Sequence, residues 1–282
     1  DGLTKIFKKY KKKISLIIHC AAQPSHDYAK DNLFLDFDIN AKGTLNLLDL
    51  TKKNCPEAVF IFMSTNKVYG DNPNNLNFVE EKYRWELKKK DKLYKGVDEN
   101  FSIDSCTHSF FGVSKVYADL IVQEYGKNIG LKTVCFRAGC ITGPNHNGSL
   151  LHGFLSYLVK CNVMKKNYFV KGYKGKQVRD NIHSTDLINA FWHYFKSSKK
   201  KGEVYNIGGG IYSNCSLLEA SEIISYYTKK TTQLKFEKKN RSGDHIWWIS
   251  DLRKFKSDFP LLTEEGKLGK NKKTNYEFKI NN

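Results

Sequence analysis

Three short apolar runs, ISLIIHCAA (14–22), AVFIFMST (58–65) and LKTVCFRAG (131–139), are separated by segments of helical apolar spacing, and this rhythm restricts the possible folds more than any other feature. Runs this short and continuously apolar suit strands buried on both faces, as in a parallel sheet. Between the first two lies INAKGTLNLLDLTKKN (39–54), with Leu45, Leu47, Leu48 and Leu50 on helical spacing. Ahead of the third lies SFFGVSKVYADLIVQEYGKN (109–128), which reads as a long amphipathic helix. Strand, helix, strand, helix, strand in this order predicts an α/β fold with a doubly wound, Rossmann-like parallel sheet. Ligands of such sheets bind at the carboxyl ends of the strands.

The segment from Asp71 to Ser105 is polar, charged and weakly periodic, and reads as a long excursion from a strand end. Loops of that length are usually functional lids or disordered. Beyond Thr142 the rhythm loosens: a helix is expected near 150–163, a short strand at 168–170, a helix over 184–195, the strand EVYNIG (203–208) and a helix over 216–229. This divides the chain into 1–142, a partial Rossmann domain, and 143–282, mainly a smaller α/β lobe, with 172–210 partly returning to the first domain. The cleft between them is the expected binding site. The last dozen residues, NKKTNYEFKINN, read as frayed.

Composition removes several function classes. The 282 residues are 40% hydrophobic and 13% aromatic, enough to bury one large core or two modest ones. No run approaches the roughly 18 apolar residues that span a bilayer. The N-terminal DGLTKIFKKYKKK is basic and amphipathic without a cleavable signal pattern, so a cytoplasmic protein without a membrane partner is expected. Seven cysteines without CxxC spacing fit reduced thiols. Cys135 and Cys140 lie close together in CFRAGC, but no paired Cys/His group completes a zinc site, and no metal is expected. Lys and Arg number 47 against 29 Asp and Glu, a net charge of +18 that attracts polyanions. The lysines fall in short runs, KKYKKK, KKKDK, KSSKKK and GKNKKT, without interleaved aromatics. They read as a solvated surface, and nucleic acid is not the expected partner.

Several segments carry a resemblance when read together. They are HCAAQPSHD (19–27), NAKGTLNLL (40–48), FMSTNKVYGD (62–71), the helix containing GVSK, FRAGCITGPN (136–145), GYKGKQVRDNIHSTDL (172–187), YNIGGG (205–210) and RSGDHIWWISDLRKF (241–255). In this order they resemble the extended short-chain dehydrogenase/reductase family, and within it the NAD-dependent nucleotide-sugar epimerases and dehydratases. The most similar branch is that of the CDP-paratose 2-epimerases, also called CDP-tyvelose epimerases. The resemblance covers nearly the whole chain. It implies tightly held NAD, a nucleotide-diphosphate sugar as substrate, and epimerisation through a transient keto sugar that is reduced again from its other face. It also implies a homodimer built through the helices bearing Asn40–Leu50 and Lys115–Tyr125. The alternatives within the family are 4-epimerisation and 4,6-dehydration. The dehydration needs an acidic residue after the strand-end Ser or Thr, where this chain has Asn66 and Lys67.

Residue by residue, the resemblance gives Thr65 the role of the strand-end hydroxyl that holds the reacting sugar hydroxyl, with Asn66 beside it in contact with substrate. Lys115 takes the role of the lysine that binds the nicotinamide ribose and favours a phenolate four residues earlier. Phe111 occupies the position of that tyrosine. A benzyl ring accepts no proton. Three readings therefore stand. His108, three residues before Phe111, offers an imidazole that titrates near neutrality, although capping the helix explains it without chemistry. A group such as Tyr83 or Tyr94 from the 71–105 excursion is a second source. A sugar-nucleotide binder that has lost turnover is the third. Ala21, Ala22 and Gln23 are expected against the cofactor, with Asn40 bracing its pocket. Arg179 in QVRD and Arg241 in RSGD match positions that face the substrate diphosphate, whose oxygens suit guanidinium forks. Arg137 is expected to be structural, Asp180, Asp186 and Asp251 to brace local structure, and Trp247–Trp248 to close the two lobes by packing.

One element of the family pattern is missing. Its members begin with a strand and a GxxGxxG turn that brings the cofactor pyrophosphate to a helix N-terminus. No such turn precedes ISLIIHCAA, and GYKGKQ and IGGG lie too late to replace it. The resemblance thus implies about two missing strand-helix units and a third strand. An incomplete pyrophosphate site and an open edge on the first visible strand would follow.

Overall fold

The computed structural model describes residues 2–150, 152–197, 200–238, 240 and 243–260. The chain runs through α1 (Gly2–Tyr10), β1 (Leu16–His19), α2 (His26–Asp31), α3 (Leu33–Phe37), α4 (Gly43–Asn54) and β2 (Val59–Thr65). A hairpin of β3 (Phe78–Glu80) and β4 (Trp85–Leu87) precedes α5 (Phe110–Lys127), β5 (Lys132–Ala138) and β6 (Cys140–Thr142). There follow α6 (Phe154–Val163), β7 (Tyr168–Lys171), β8 (Val178–His183), α7 (Ser184–Ser197), β9 (Glu203–Ile207) and β10 (Asn214–Ser216). The last described elements are α8 (Leu217–Thr228), β11 (Leu234–Glu237), β12 (Trp247–Trp248) and α9 (Arg253–Asp258).

The main sheet is parallel, in the order β1, β2, β5, β9. Side chains of a strand alternate between faces, and here each face is covered by helices. Phe60, Phe62 and Cys135 pack with Leu48 of α4 and with Ala118 and Val122 of α5. Val59, Ile61, Val134 and Phe136 pack on the other side with Leu187, Phe191 and Tyr194 of α7 and with Phe255 of α9. Burial on both faces explains the unbroken apolar runs, each large side chain contributing about 1.5–3 kcal/mol. Among the described residues β1 has β2 as its only strand neighbour, and Ile18 on it is 44% exposed.

A smaller sheet is built on β8, which pairs antiparallel with β10 and parallel with β6 and β12, while β7 and β11 form a separate parallel pair. The excursion after β2 is a packed layer of this region, not a lid. Leu87 and Val97 are buried in one core with Val178, Trp247 and Trp248, and Val97 exchanges backbone hydrogen bonds with Ile249 and Asp251. Its polar sequence hid this because the segment covers the core with isolated apolar residues rather than with a periodic face. The helix expected over 39–54 contains one wide turn, Asp38–Lys42, where α3 passes into α4 and Asn40 and Ala41 are buried. The segment NKKTNYEFKINN lies outside the described residues.

Candidate active site

The carboxyl ends of β1, β2 and β5 open onto a cleft of about 850 Å³, whose facing wall is formed by β6, β8 and the segment around 143–155. A second, more open hollow of about 1130 Å³ lies between residues 76–79 and 88–93, and none of the residues carried by the resemblance lines it.

Thr65 ends β2 in extended conformation, and its hydroxyl accepts from the Lys67 amide at 3.3 Å, capping the turn Asn66–Tyr69. Lys115 reaches the same strand end from α5. Its Nζ donates to the Met63 carbonyl at 2.8 Å and sits 4.1 Å from the centre of the Phe62 ring. Burial lowers its pKa to about 8, with Asp119 pulling in the opposite direction. Thr65, Asn66, Phe111 and Lys115 all line the cleft. Behind them Arg137 donates twice to Asp119, at 2.8 and 3.1 Å, and once to Tyr69 Oη at 3.0 Å, while Ser64 Oγ donates to the same carboxylate. This buried network fixes α5 against the ends of β2 and β5, a structural role.

Ser109 is the N-cap of α5, accepting from the Gly112 amide at 3.1 Å, so His108 precedes the helix. The three-residue spacing from Phe111 therefore does not place His108 on the same helix face as Phe111 and Lys115. Its Nε2 meets the Val68 carbonyl at 2.8 Å, its ring lies beside Cys106, and it does not line the cleft. Tyr94 packs in the second core, Tyr83 is 39% exposed on the hairpin, and neither lines the cleft. The imidazole that does face Phe111 belongs to His26, the first residue of α2, with ring centres 4.8 Å apart in an edge-on arrangement. Its Nδ1 is 2.6 Å from Ser109 Oγ.

At the end of β1, Cys20 and Ala22 line the cleft, whereas Ala21 does not. Gln23 turns inward, its amide nitrogen donating to Asp36 at 2.8 Å and to the Ser25 carbonyl at 3.0 Å. Asn40, placed by the wide turn, accepts from the Gln23 amide at 2.9 Å and donates to the Gln23 carbonyl, Asp36 and Ser114 Oγ. It clamps the loop after β1 to α5. Behind it His19 is lowered to about 4 by burial and by Lys115, so it pairs with Thr44 Oγ1 at 2.9 Å as a neutral ring.

On the facing wall Gln177, Arg179, Asn181 and His183 alternate toward the cleft, while Val178 and Ile182 are buried in the cores behind. Only Arg179 was expected from the sequence, although the polar alternation in QVRDNIH was the available signal. Arg179 donates to Asp244 at 2.5 Å, and Lys67 approaches the same carboxylate at 3.7 Å. Burial alone would raise the Asp244 pKa, but Arg179 and Lys67 hold it well below the usual carboxylate range. Arg241 lies outside the described residues. Asp180 braces the backbone as expected, accepting from the Ser250 amide at 2.9 Å and the Gly210 amide at 3.1 Å.

The donor set suits the nicotinamide half of a dinucleotide. Among the described residues the buried Lys115 ammonium has one oxygen acceptor, leaving donors for ribose hydroxyls, beside small side chains at the end of β1. No glycine-rich strand-to-helix turn precedes β1 among the described residues, so the pyrophosphate half has no counterpart there. Among the described residues, no three His, Cys, Asp or Glu side chains are grouped to hold a metal, and no helix is long and apolar enough to cross a membrane.

The profile of the NAD dependent epimerase/dehydratase family matches residues 1–208. The chain is 31% identical over 262 residues to the CDP-paratose 2-epimerase of Salmonella typhi, covering 90% of this chain and 74% of that protein. It is 25% identical to the UDP-glucose 4-epimerase of Mycoplasma genitalium, with coverages of 86% and 69%. Among solved structures, a tyrosine-to-phenylalanine mutant of the UDP-glucuronic acid 4-epimerase of Bacillus cereus, in complex with UDP-4-deoxy-4-fluoro-glucuronic acid and NAD, superposes with a TM-score of 0.71. That likeness covers 92% of this chain and 74% of the other at 24% identity, and supports the fold. With its parallel sheet and its match over more than two thirds of its length, the chain belongs to the NAD-dependent epimerase/dehydratase family of nucleotide-sugar enzymes.

Proposed function

We propose that the protein is an NAD-dependent nucleotide-sugar epimerase that inverts carbon 2 of a CDP-activated deoxyhexose. The observation that carries this reading is the meeting of Thr65 and Lys115 in one cleft, with Arg179 on the facing wall. The similarity to the Salmonella typhi enzyme supports the CDP-sugar and the carbon. The chemistry NAD supplies when bound is reversible hydride transfer at the sugar carbon. The backbone at Ala21, Ala22 and Gln23 approaches the cofactor, Lys115 donates to its ribose, and Asn40 keeps the loop after β1 on α5. Thr65 hydrogen-bonds the reacting sugar hydroxyl and Asn66 contacts the sugar. Arg179, with Arg241, binds the diphosphate. Arg179 and Lys67 against Asp244 leave one net positive charge at that wall. Residues 1–142 act as the cofactor domain and 143–282 mainly as the substrate lobe. The pairing of β9 with β5 supports a partial return of 172–210 to the first. The enzyme works as a cytoplasmic homodimer.

Phe111 favours a second reading, a sugar-nucleotide binder without turnover. Incubation with NAD and CDP-, UDP- or GDP-hexoses, followed by product analysis by NMR, separates the two. The expected result is inversion at carbon 2 of the CDP-sugar, at least tenfold faster than any change in the others. Inversion at carbon 4 would assign a 4-epimerase instead, and binding without conversion would leave the second reading standing.

A further inference from the structure

We propose that Gln177 is the base-reading residue of the cleft, its side-chain amide pairing with the ring edge of the substrate cytosine while Phe169 supplies the face on which that ring lies; this rests on the nucleotide-sugar reading above. With the reacting sugar at Thr65 and the diphosphate at Arg179, the nucleoside is left to the wall formed by β7 and the start of β8. Strand alternation turns Phe169 and Lys171 of β7 to one face while Tyr168 and Val170 are buried, and Phe169 and Lys171 both line the cleft. Phe169 keeps 43% of its surface exposed, and an aromatic ring so placed gives a base a stacking partner.

Gln177 differs from its neighbours on the cleft side of β8. Arg179 is held by Asp244, and Asn181 Nδ2 donates to the Arg179 carbonyl at 3.0 Å. The Gln177 amide makes no hydrogen bond among the described residues, and its Oε1 is buried without a partner. A buried amide oxygen left unpaired costs stability, and in the wall of a cleft it is a place kept for a donor of the ligand. No protein atom fixes either end of this amide, so it turns about its last torsion, which is broad for glutamine, and presents an acceptor and a donor side by side. Cytosine offers the complement: its 4-amino group donates to Oε1, and its ring N3 accepts from Nε2–H.

The backbone that carries the side chain is fixed on both sides. The Lys176 carbonyl accepts from the Trp85 amide at 2.9 Å, and the Val178 amide donates to the Ile246 carbonyl at 3.0 Å. The turn leading in from β7 has four successive residues of positive φ, Gly172 at 80°, Tyr173 at 50°, Lys174 at 57° and Gly175 at 73°. Two of them carry a Cβ, and such strain persists only where surrounding contacts impose it. Here Tyr173 Oη donates to the Asp244 carbonyl at 3.4 Å, and Lys174 and Lys176 both donate to Glu80.

Calorimetry on the full chain with NAD present tests the assignment, comparing CDP with the 5′-diphosphate of the pyrimidin-2-one riboside, which lacks the 4-amino group. The wild type is expected to bind CDP at least about fivefold tighter than the analogue, and Gln177→Met to bind the two within about twofold of each other, since methionine matches the length but offers no acceptor. Gln177→Glu keeps an acceptor at that place, and is expected to keep the preference at lower overall affinity. Phe169→Ala is expected to weaken both ligands by the same factor, at least about fivefold, because stacking does not sense the amino group. A wild type that binds CDP and the analogue equally, a Gln177→Met that retains the preference, or a Gln177→Glu that loses it each overturns the assignment while leaving the epimerase intact. A wild type that shows the expected binding pattern but converts no CDP-hexose overturns the epimerase reading and leaves the base contact standing, whereas one that binds no CDP overturns both.

Discussion

Burying the Lys115 ammonium at the end of β2 costs free energy that one carbonyl and the Phe62 ring do not fully offset, which is why its pKa falls from 10.5 to about 8. The folded chain therefore binds fewer protons than the unfolded one between these values, and stability rises with pH across that window. Below it the whole penalty applies, on the order of 3 kcal/mol. Lys115→Met should accordingly make the ligand-free protein more stable at pH 7 by about 1–3 kcal/mol while abolishing turnover, with the gap narrowing toward pH 10. Thermal unfolding at the two pH values checks this, and a variant less stable than wild type at pH 7 contradicts it. Thr65 and Lys115 were legible in the sequence because each sits in a local string, STNK and GVSK, that fixes its place on an element. His26 lies within HCAAQPSHD, but nothing in that string marks its neighbour. Its contact with Phe111 joins residues from α2 and α5 that only the packed sheet brings together.

Between elements, Asp180 on β8 ties three backbone segments by accepting from Ser250 and Gly210 while lying against the end of β5. A Cβ on Gly139 would come within 2.5 Å of Oδ1, and one on Gly208 within 2.1 Å of Oδ2, so glycine is required at both places. Burial raises the Asp180 pKa to about 6 in spite of these hydrogen bonds. A raised carboxyl pKa contributes stability that is present below the unfolded value, about 4, and is lost as pH rises through 6. Asp180→Asn should remove that dependence. In urea unfolding, wild type should gain about 1–2 kcal/mol on the variant between pH 7 and pH 4.5; a constant difference would show that the carboxyl takes up no proton in the folded state. The strands and helices of the main sheet, even the four-residue β1, were readable because they are continuously apolar or clearly amphipathic. β6, β8, β10 and β12 were not, since β6, β10 and β12 have two or three residues each and β8 turns polar side chains to the cleft. Two- to six-residue strands of mixed polarity give no period to detect.

Over the whole molecule, α3 and α5 leave an apolar face in the open. Phe34 is 89% exposed, Val113 55% and Leu120 43%, and Phe37 meets Tyr117 on the same side. In the homodimer proposed above, a second copy offering the same face would cover it with two-fold symmetry. Phe34→Glu combined with Leu120→Glu should shift sedimentation from dimer to monomer with far-ultraviolet circular dichroism unchanged; a monomeric wild type would dismiss the homodimer. The surface charge of +18 is a property of the same scale that motifs could not resolve into a site, because it belongs to scattered lysines. The two ionic groupings around the cleft differ in their depth. Arg137 and Asp119 have 6% and 1% of their side chains exposed, whereas Arg179, Lys67 and Asp244 retain 10%, 17% and 22%. Salt screens the more exposed second set more strongly than the first. Raising potassium chloride from 0.05 to 0.5 M should therefore increase KM several-fold and leave kcat nearly constant: brine would loosen the grip on the anionic handle of the sugar without disturbing the anvil on which its carbon is turned.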